Sequence, residues 1–347
     1  MYADISFWLS MAFIVGGLAA LAWSSDLFID GAATVAKALG ISPFVVGMVV
    51  IGFGTSAPEL CVSTLSGLSG HSNLSLGNAY GSCVFNIAAI LGVAALLHPL
   101  KIKPAVAFVA GPVLAAIAAV SYALLRDGEC SRPEACTLLG VFLVLLPMYC
   151  WFDQKPNAAE PGAVPAGGRR PPTARMLADP RYKRIGRLRL WVACVKLVAG
   201  LAALIGSSHI LVWGAVDLAR CMGAGELMIG LTIVAVGTSL PELASAVAAA
   251  RRGENEFVLG NIIGSNFFNS LAVVGLAAAI SPARGFSPYI LLRDLPAMIA
   301  LSLSITFFGL NWRRPREGGV AGRGAGALWI AAFAVYTVFV LWQELRG

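Results

Sequence analysis

The chain has 347 residues, of which 58% are hydrophobic and 12% charged, with a net charge of +7 and a mean hydropathy of +0.79. A soluble protein carries about 25% charged residues, so a water-soluble enzyme or binding module is excluded. The positive charge lies in the connections between apolar runs rather than in one basic surface, which argues against nucleic acid as a partner and for anionic lipid headgroups.

Ten apolar runs, each near the roughly 17–25 residues that carry a helix across a bilayer, follow one another. They cover about 5–28, 41–66, 74–97, 104–125, 136–152, 190–214, 225–249, 257–280, 294–311 and 325–344. The first run has no Lys or Arg before Lys37, unlike the basic start of a secretory leader, and reads as a spanning helix. With the N-terminus outside, the inner connections hold Lys37, Lys101, Lys103, the basic cluster from Lys155 to Arg189, Arg251, Arg252, Arg313, Arg314, Arg316 and Arg323. That asymmetry places them on the cytoplasmic side of a plasma (inner) membrane. The expected fold class is an all-α polytopic membrane protein with ten transmembrane helices.

The second run holds Gly52-Phe-Gly54-Thr55-Ser56-Ala-Pro58-Glu59. Pro58 cannot donate to the carbonyl of Gly54, and its ring crowds that turn. The helix is therefore expected to break, leaving carbonyl oxygens beside the hydroxyls of Thr55 and Ser56 and the carboxylate of Glu59. Oxygen ligands of this kind suit hard cations, and no His or Cys accompanies them. In the third run Ser82 and Asn86, four apart, share one helix face.

Cys130 and Cys136 flank a short loop assigned to the outer side, and a disulfide between them is left open. The segment 153–189 holds Pro156, Pro161, Pro165, Pro171, Pro172 and Pro180 among Gly and Arg and reads as a cytoplasmic linker. It separates a first half, 1–152, from a second, 190–347.

Removing the linker exposes a repeat. Residues 24–92 align with 207–275 without a gap at a constant offset of 183. The motif returns as Gly237-Thr238-Ser239-Leu-Pro241-Glu242, and Gly77-Asn78-Ala-Tyr-Gly81-Ser82 through Asn86 returns as Gly260-Asn261-Ile-Ile-Gly264-Ser265 through Asn269. Five helices per half is an odd number, so the second half enters the membrane from the opposite side, giving two inverted five-helix repeats. No basic residue lies within the expected cores of the second, third, seventh or eighth helices. Two membrane-embedded carboxylates without a basic partner need cations or protons.

These residues resemble the two repeats of the cation/calcium exchanger superfamily, most closely prokaryotic sodium/calcium exchangers. The resemblance covers essentially the whole chain. It implies an antiporter that uses the inward Na⁺ gradient to extrude Ca²⁺ by alternating access, the first helix of each half sliding over the core. It implies a metal site of Glu59, Glu242, Thr55, Thr238, Ser56, Ser239, Ser82 and Ser265, with the carbonyls of Gly52 and Ala235. Asn86 and Asn269 complete the candidate set; some family members carry Asp there, which makes a K⁺-dependent subtype less expected. Cys83 stands where the second repeat has Asn266. The transported Na⁺ and Ca²⁺ are cargo; no cofactor and no obligatory protein partner is expected.

Rival classes are an H⁺-coupled exchanger of Ca²⁺ or another divalent cation, an intramembrane protease and a non-transporting Ca²⁺ sensor. The protease lacks support, since the chain has no GxSxG, HExxH or paired membrane aspartates. His71, His98 and His209 read as interfacial, Arg293 and Asp294 as a local pair, and Trp8, Trp312, Trp329 and Trp342 as interface anchors.

Overall fold

The computed structural model describes residues 2–39, 41–153, 180–221, 235–311, 314 and 318–344. Twelve helical segments are present among them: α1 Tyr2–Leu39, α2 Pro43–Thr55, α3 Ala57–Leu68, α4 Ser72–Leu97, α5 Val106–Leu125, α6 Arg132–Asp153, α7 Pro180–Cys221, α8 Ala235–Thr238, α9 Leu240–Arg251, α10 Asn255–Ile280, α11 Ile290–Gly309 and α12 Arg323–Glu344. Eight of these are long and apolar enough to span a bilayer, and α2 with α3 forms a ninth span bent by 44° at Ser56. The tenth expected span, 225–249, is described only from 235 onward, as α8 and α9; the linker from 154 to 179 also lies outside the described residues.

Local chemistry explains the segment ends. Ser42 accepts from the N–H of Phe44 at 3.2 Å while Pro43 occupies the first turn of α2, where a missing N–H costs nothing. Helices α3 and α9 end alike in the two halves: Gly70 and Gly253, 183 apart, take φ of +79° and +69°. The following N–H groups of His71 and Glu254 reach back to Ser66 and Ala249 at 2.9 and 3.0 Å. A left-handed residue of this kind closes a helix and satisfies its last carbonyls, turning α3 onto α4 and α9 onto α10.

Helices α4 and α10 form the centre of the bundle, with 72% and 83% of their apolar windows buried, whereas α1 and α7 are buried over only 22%. These two peripheral helices pack on each other antiparallel. A Cβ on Gly17 would stand 3.0 Å from Leu211, and one on Gly31 2.6 Å from Leu197. In the reciprocal contacts, Gly200 would meet Phe28 at 2.7 Å and Gly214 the N of Ile14 at 3.2 Å. Each pair recurs 183 residues on, in the opposite chain direction, so the repeat seen in the sequence is inverted in space. Small residues permit this backbone approach. Both helices outrun the expected 5–28 and 190–214, because no breaker precedes Gly40 and Pro180 opens α7; their 38 and 42 residues span roughly 57–63 Å at 1.5 Å per residue.

Two short antiparallel ladders, unexpected from the sequence, tie connections at opposite ends of the bundle. Strand β1 (Leu100–Ile102) pairs with β4 (Gly319–Ala321), and β2 (Glu129–Cys130) with β3 (Ala283–Arg284). The β1–β4 end also gathers basic side chains: Lys103 pairs with Glu256 at 2.7 Å, and Arg252 with Asp26 at 3.1 Å.

Cys130 and Cys136 are both free, the first buried and the second exposed. Trp8 and Trp342 are exposed. Trp329 is not: it is buried, its Nε1–H donates to Ser304 Oγ at 2.7 Å, and Phe308 meets it edge-on. Trp312 lies outside the described residues. His71 and His98 are exposed at helix ends, whereas His209, expected toward a helix end, is exposed within α7, which continues to Cys221. Arg293 and Asp294 do pair, at 2.6 Å, and Tyr336 and Gln343 of α12 extend the cluster at 2.8 Å each.

Candidate cation site

The breaks at Ser56 and Ser239 lie where Pro58 and Pro241 remove a helical donor, and each opens a new helix whose first turn carries the carboxylate. Glu59 and Glu242 thus sit at helix N-termini, where the dipole favours negative charge. Both are completely buried. Neither has a Lys or Arg partner among the described residues; the groups that act on them are hydroxyls, backbone and the charge of the other glutamate.

The hydrogen bonds cross between the halves. Ser56 donates to Glu242 Oε1 at 3.0 Å, and Ser239 donates to Glu59 Oε1 at 2.8 Å. Ser239 also meets Ser82 Oγ at 3.2 Å, and Ser265 reaches the Gly52 carbonyl at 3.4 Å. Thr55 and Ser265 lie against Glu242, and Thr238 against Glu59. A hydroxyl that gives its proton to a carboxylate turns its lone pairs elsewhere, as an oxygen ligand must.

Two asparagines that the motif contains, but that the candidate set omits, hold this arrangement in place. Asn78 donates to the carbonyl of Glu59 at 3.2 Å and to Ser63 at 2.9 Å, while its Oδ1 accepts from Thr238 at 3.5 Å. Asn261 repeats the pattern with Glu242 at 3.3 Å, Ser245 at 2.9 Å and Thr55 at 3.4 Å. Their identical place in the two repeats was the available signal. Each clamps the backbone of one glutamate and orients a threonine of the other half.

Asn86 and Asn269 are fully buried and lie at the starts of π-helical stretches, as the first residue of Asn86–Leu91 and the second of Phe268–Val273, features that often mark functional sites. Asn86 donates to Asn266 Oδ1 at 3.1 Å, and Asn266 donates to the Cys83 carbonyl at 3.4 Å. Cys83 Sγ lies 3.3 Å from Ser270 Oγ. Positions 83 and 266, related by the repeat, therefore touch across the pseudo-twofold axis. The Gly52 carbonyl accepts from the Ser56 N–H at 3.1 Å as well as from Ser265. In the second half the Ser239 N–H turns to Val236 at 3.1 Å rather than to Ala235.

Five buried polar atoms in this cluster have no protein partner: Glu59 Oε2, Glu242 Oε2, Asn86 Oδ1 and both side-chain polar atoms of Asn269. Unsatisfied buried polar groups cost about 1–3 kcal/mol each, more when charged, so the cluster is built for something that brings its own charge. Among the described residues no three His, Cys, Asp or Glu side chains converge, and an all-oxygen set of carboxylates, hydroxyls and amides selects hard cations over zinc or copper.

A family model described as sodium/calcium exchanger protein matches residues 9–151 and 192–342. CaxA of Alkalimonas amylolytica is 36% identical, the match covering 84% of this chain and 89% of that one. The sodium/calcium exchanger MaX1 of Methanosarcina acetivorans is 32% identical, covering 88% and 92%. A solved structure of the sodium-calcium exchanger NCX_Mj, soaked with Na⁺ and Sr²⁺, superposes with a TM-score of 0.76 at 25% identity, covering 94% of this chain and 97% of that one. With two fully buried carboxylates, inverted helices and this match over most of its length, the chain is a transporter rather than an enzyme and belongs to the sodium/calcium exchanger family.

Proposed function

We propose that this protein is a secondary antiporter that admits Na⁺ and extrudes Ca²⁺ by alternating access at the Glu59–Glu242 site, with no bound cofactor. One observation carries the reading: homologous halves each bring one fully buried carboxylate to the other's serine, with no basic residue in attendance among the described residues. Two carboxylates balance one Ca²⁺, whereas three Na⁺ would leave +1, so exchange at that ratio is electrogenic. Glu59, Glu242, Thr55, Thr238, Ser56, Ser239, Ser82, Ser265, Asn86, Asn269 and the carbonyls of Gly52 and Ala235 are the proposed ligands. The peripheral pair α1 and α7, little buried and glycine-packed, is the element that moves over the core. The basic β1–β4 end is proposed to face the cytoplasm, with the N-terminus outside and 153–189 joining the halves 1–152 and 190–347 on the inner side; the 35% identical YrbG of Escherichia coli is named an inner membrane protein.

The partnerless Oε2 atoms favour a second reading, because a buried carboxyl can hold a proton as readily as a metal. Reconstituted vesicles preloaded with ⁴⁵Ca²⁺ separate the two. Efflux driven by a Na⁺ gradient at uniform pH supports Na⁺ coupling; efflux that follows a pH gradient without Na⁺ supports H⁺ coupling; no counterflow under either gradient overturns both.

A further inference from the structure

Near one end of the α1–α7 pair lies a cavity of about 310 Å³, lined by Thr34 of α1 and by Arg189, Val192, Ala193 and Lys196 of α7. The spacing of the four α7 residues puts them on one helix face. Lys196 donates to Asp30 at 2.8 Å, whereas Arg189 has no ion pair among the described residues. Arg189 stands where α7 changes character: Arg187 precedes it, and an apolar run begins at Leu190. Just beyond, Val192 of the cavity wall is 48% exposed, and on the opposite side of α7 Trp191 is 67% exposed and Val198 68%, so α7 meets lipid from that point on. Arginine and tryptophan at such a border mark the depth of the headgroups.

An occupant that complements the cavity carries an anion for Arg189 and Lys196 and an apolar part for Val192 and Ala193. Inorganic phosphate supplies only the first. The chain's own segment 154–179 has four basic residues against two acidic ones, so its charge does not complement the site. We propose that this cavity binds an anionic phospholipid, its phosphate between Arg189 and Lys196 and an acyl chain along Val192. Asp30, the partner of Lys196, also meets Arg252 at 3.7 Å, beyond the end of the helix that carries Glu242. Lipid occupancy therefore bears on contacts between the peripheral pair and that helix.

Native mass spectrometry of the full chain with phosphatidylglycerol or phosphatidylethanolamine tests the site without reference to transport. The wild-type protein is expected to retain phosphatidylglycerol preferentially. Arg189→Gln is expected to weaken retention about fivefold, the ~1 kcal/mol a basic residue contributes near an anionic surface. Arg189→Lys should keep most of it, and Val192→Trp, which fills the cavity without changing charge, should lose it. Arg323→Gln, a basic residue on another helix, should bind as the wild type does. Equal losses from Arg189→Gln and Arg323→Gln, unchanged binding in Val192→Trp, or displacement by millimolar inorganic phosphate would each overturn the proposal.

Discussion

The crossed serines make a prediction that depends wholly on tertiary geometry. Ser56 lies three residues from Glu59 in sequence but donates to Glu242, and Ser239 lies three from Glu242 but donates to Glu59. A hydrogen bond to a charged group contributes about 1.5–3 kcal/mol, and one to a neutral acceptor about 1. Pairing Ser→Ala with Glu→Gln in double-mutant cycles should therefore give a coupling of roughly 1–2 kcal/mol, about five- to thirtyfold in Ca²⁺ affinity, for Ser56 with Glu242 and for Ser239 with Glu59. The same-half pairs, Ser56 with Glu59 and Ser239 with Glu242, share the bound ion but no hydrogen bond, so their coupling should be smaller. Coupling transmitted only through the ion would treat all four pairs alike. Equilibrium ⁴⁵Ca²⁺ binding to the four single and four double variants measures this. Same-half couplings equal to or larger than the crossed ones would refute the geometry.

Other consequences are open to direct measurement. Glu59→Gln and Glu242→Gln should each abolish Ca²⁺ flux to a similar degree, since leaving a buried ion with one of its two counter-charges costs about 3–5 kcal/mol; full flux in either variant removes that residue from the site. Gly264→Ala should destabilise the protein by at least 1–3 kcal/mol, because the new Cβ would collide with the backbone of Met48, whereas Gly140→Ala, with nothing within 4 Å, should be neutral in thermal unfolding. Burial, with Glu134 and Asp127 nearby, pushes the Cys130 thiol up to about 12. Only the thiolate reacts, so Cys130 stays protonated and unlabelled from pH 7 to 9 while exposed Cys136 reacts. Reductant should leave both rates unchanged; faster labelling after reduction would show a disulfide instead.

Much of this was legible in the chain itself. Period and length of the apolar runs reveal a polytopic helical protein, because a bilayer demands about 20 apolar residues per span. Pro58 and Pro241 dictate the helix breaks through a missing N–H, and the gapless repeat marks Glu59 and Glu242 as a pair. The span ends were less readable: α1 and α7 continue past the hydrocarbon because nothing in their sequences stops a helix there. Trp329 read as an interface anchor by residue type, yet an inward partner, Ser304, decides its place.

What the sequence could not say is which atoms meet. Its periodicities encode neighbours three or four residues apart, whereas the contacts that shape the site join residues 180 and 186 apart. Those follow from inversion: packing two antiparallel copies about a pseudo-twofold axis carries each serine past its own glutamate to the other's. The same packing brings Cys83 onto Asn266 and turns Asn78 and Asn261 from motif positions into clamps between the halves.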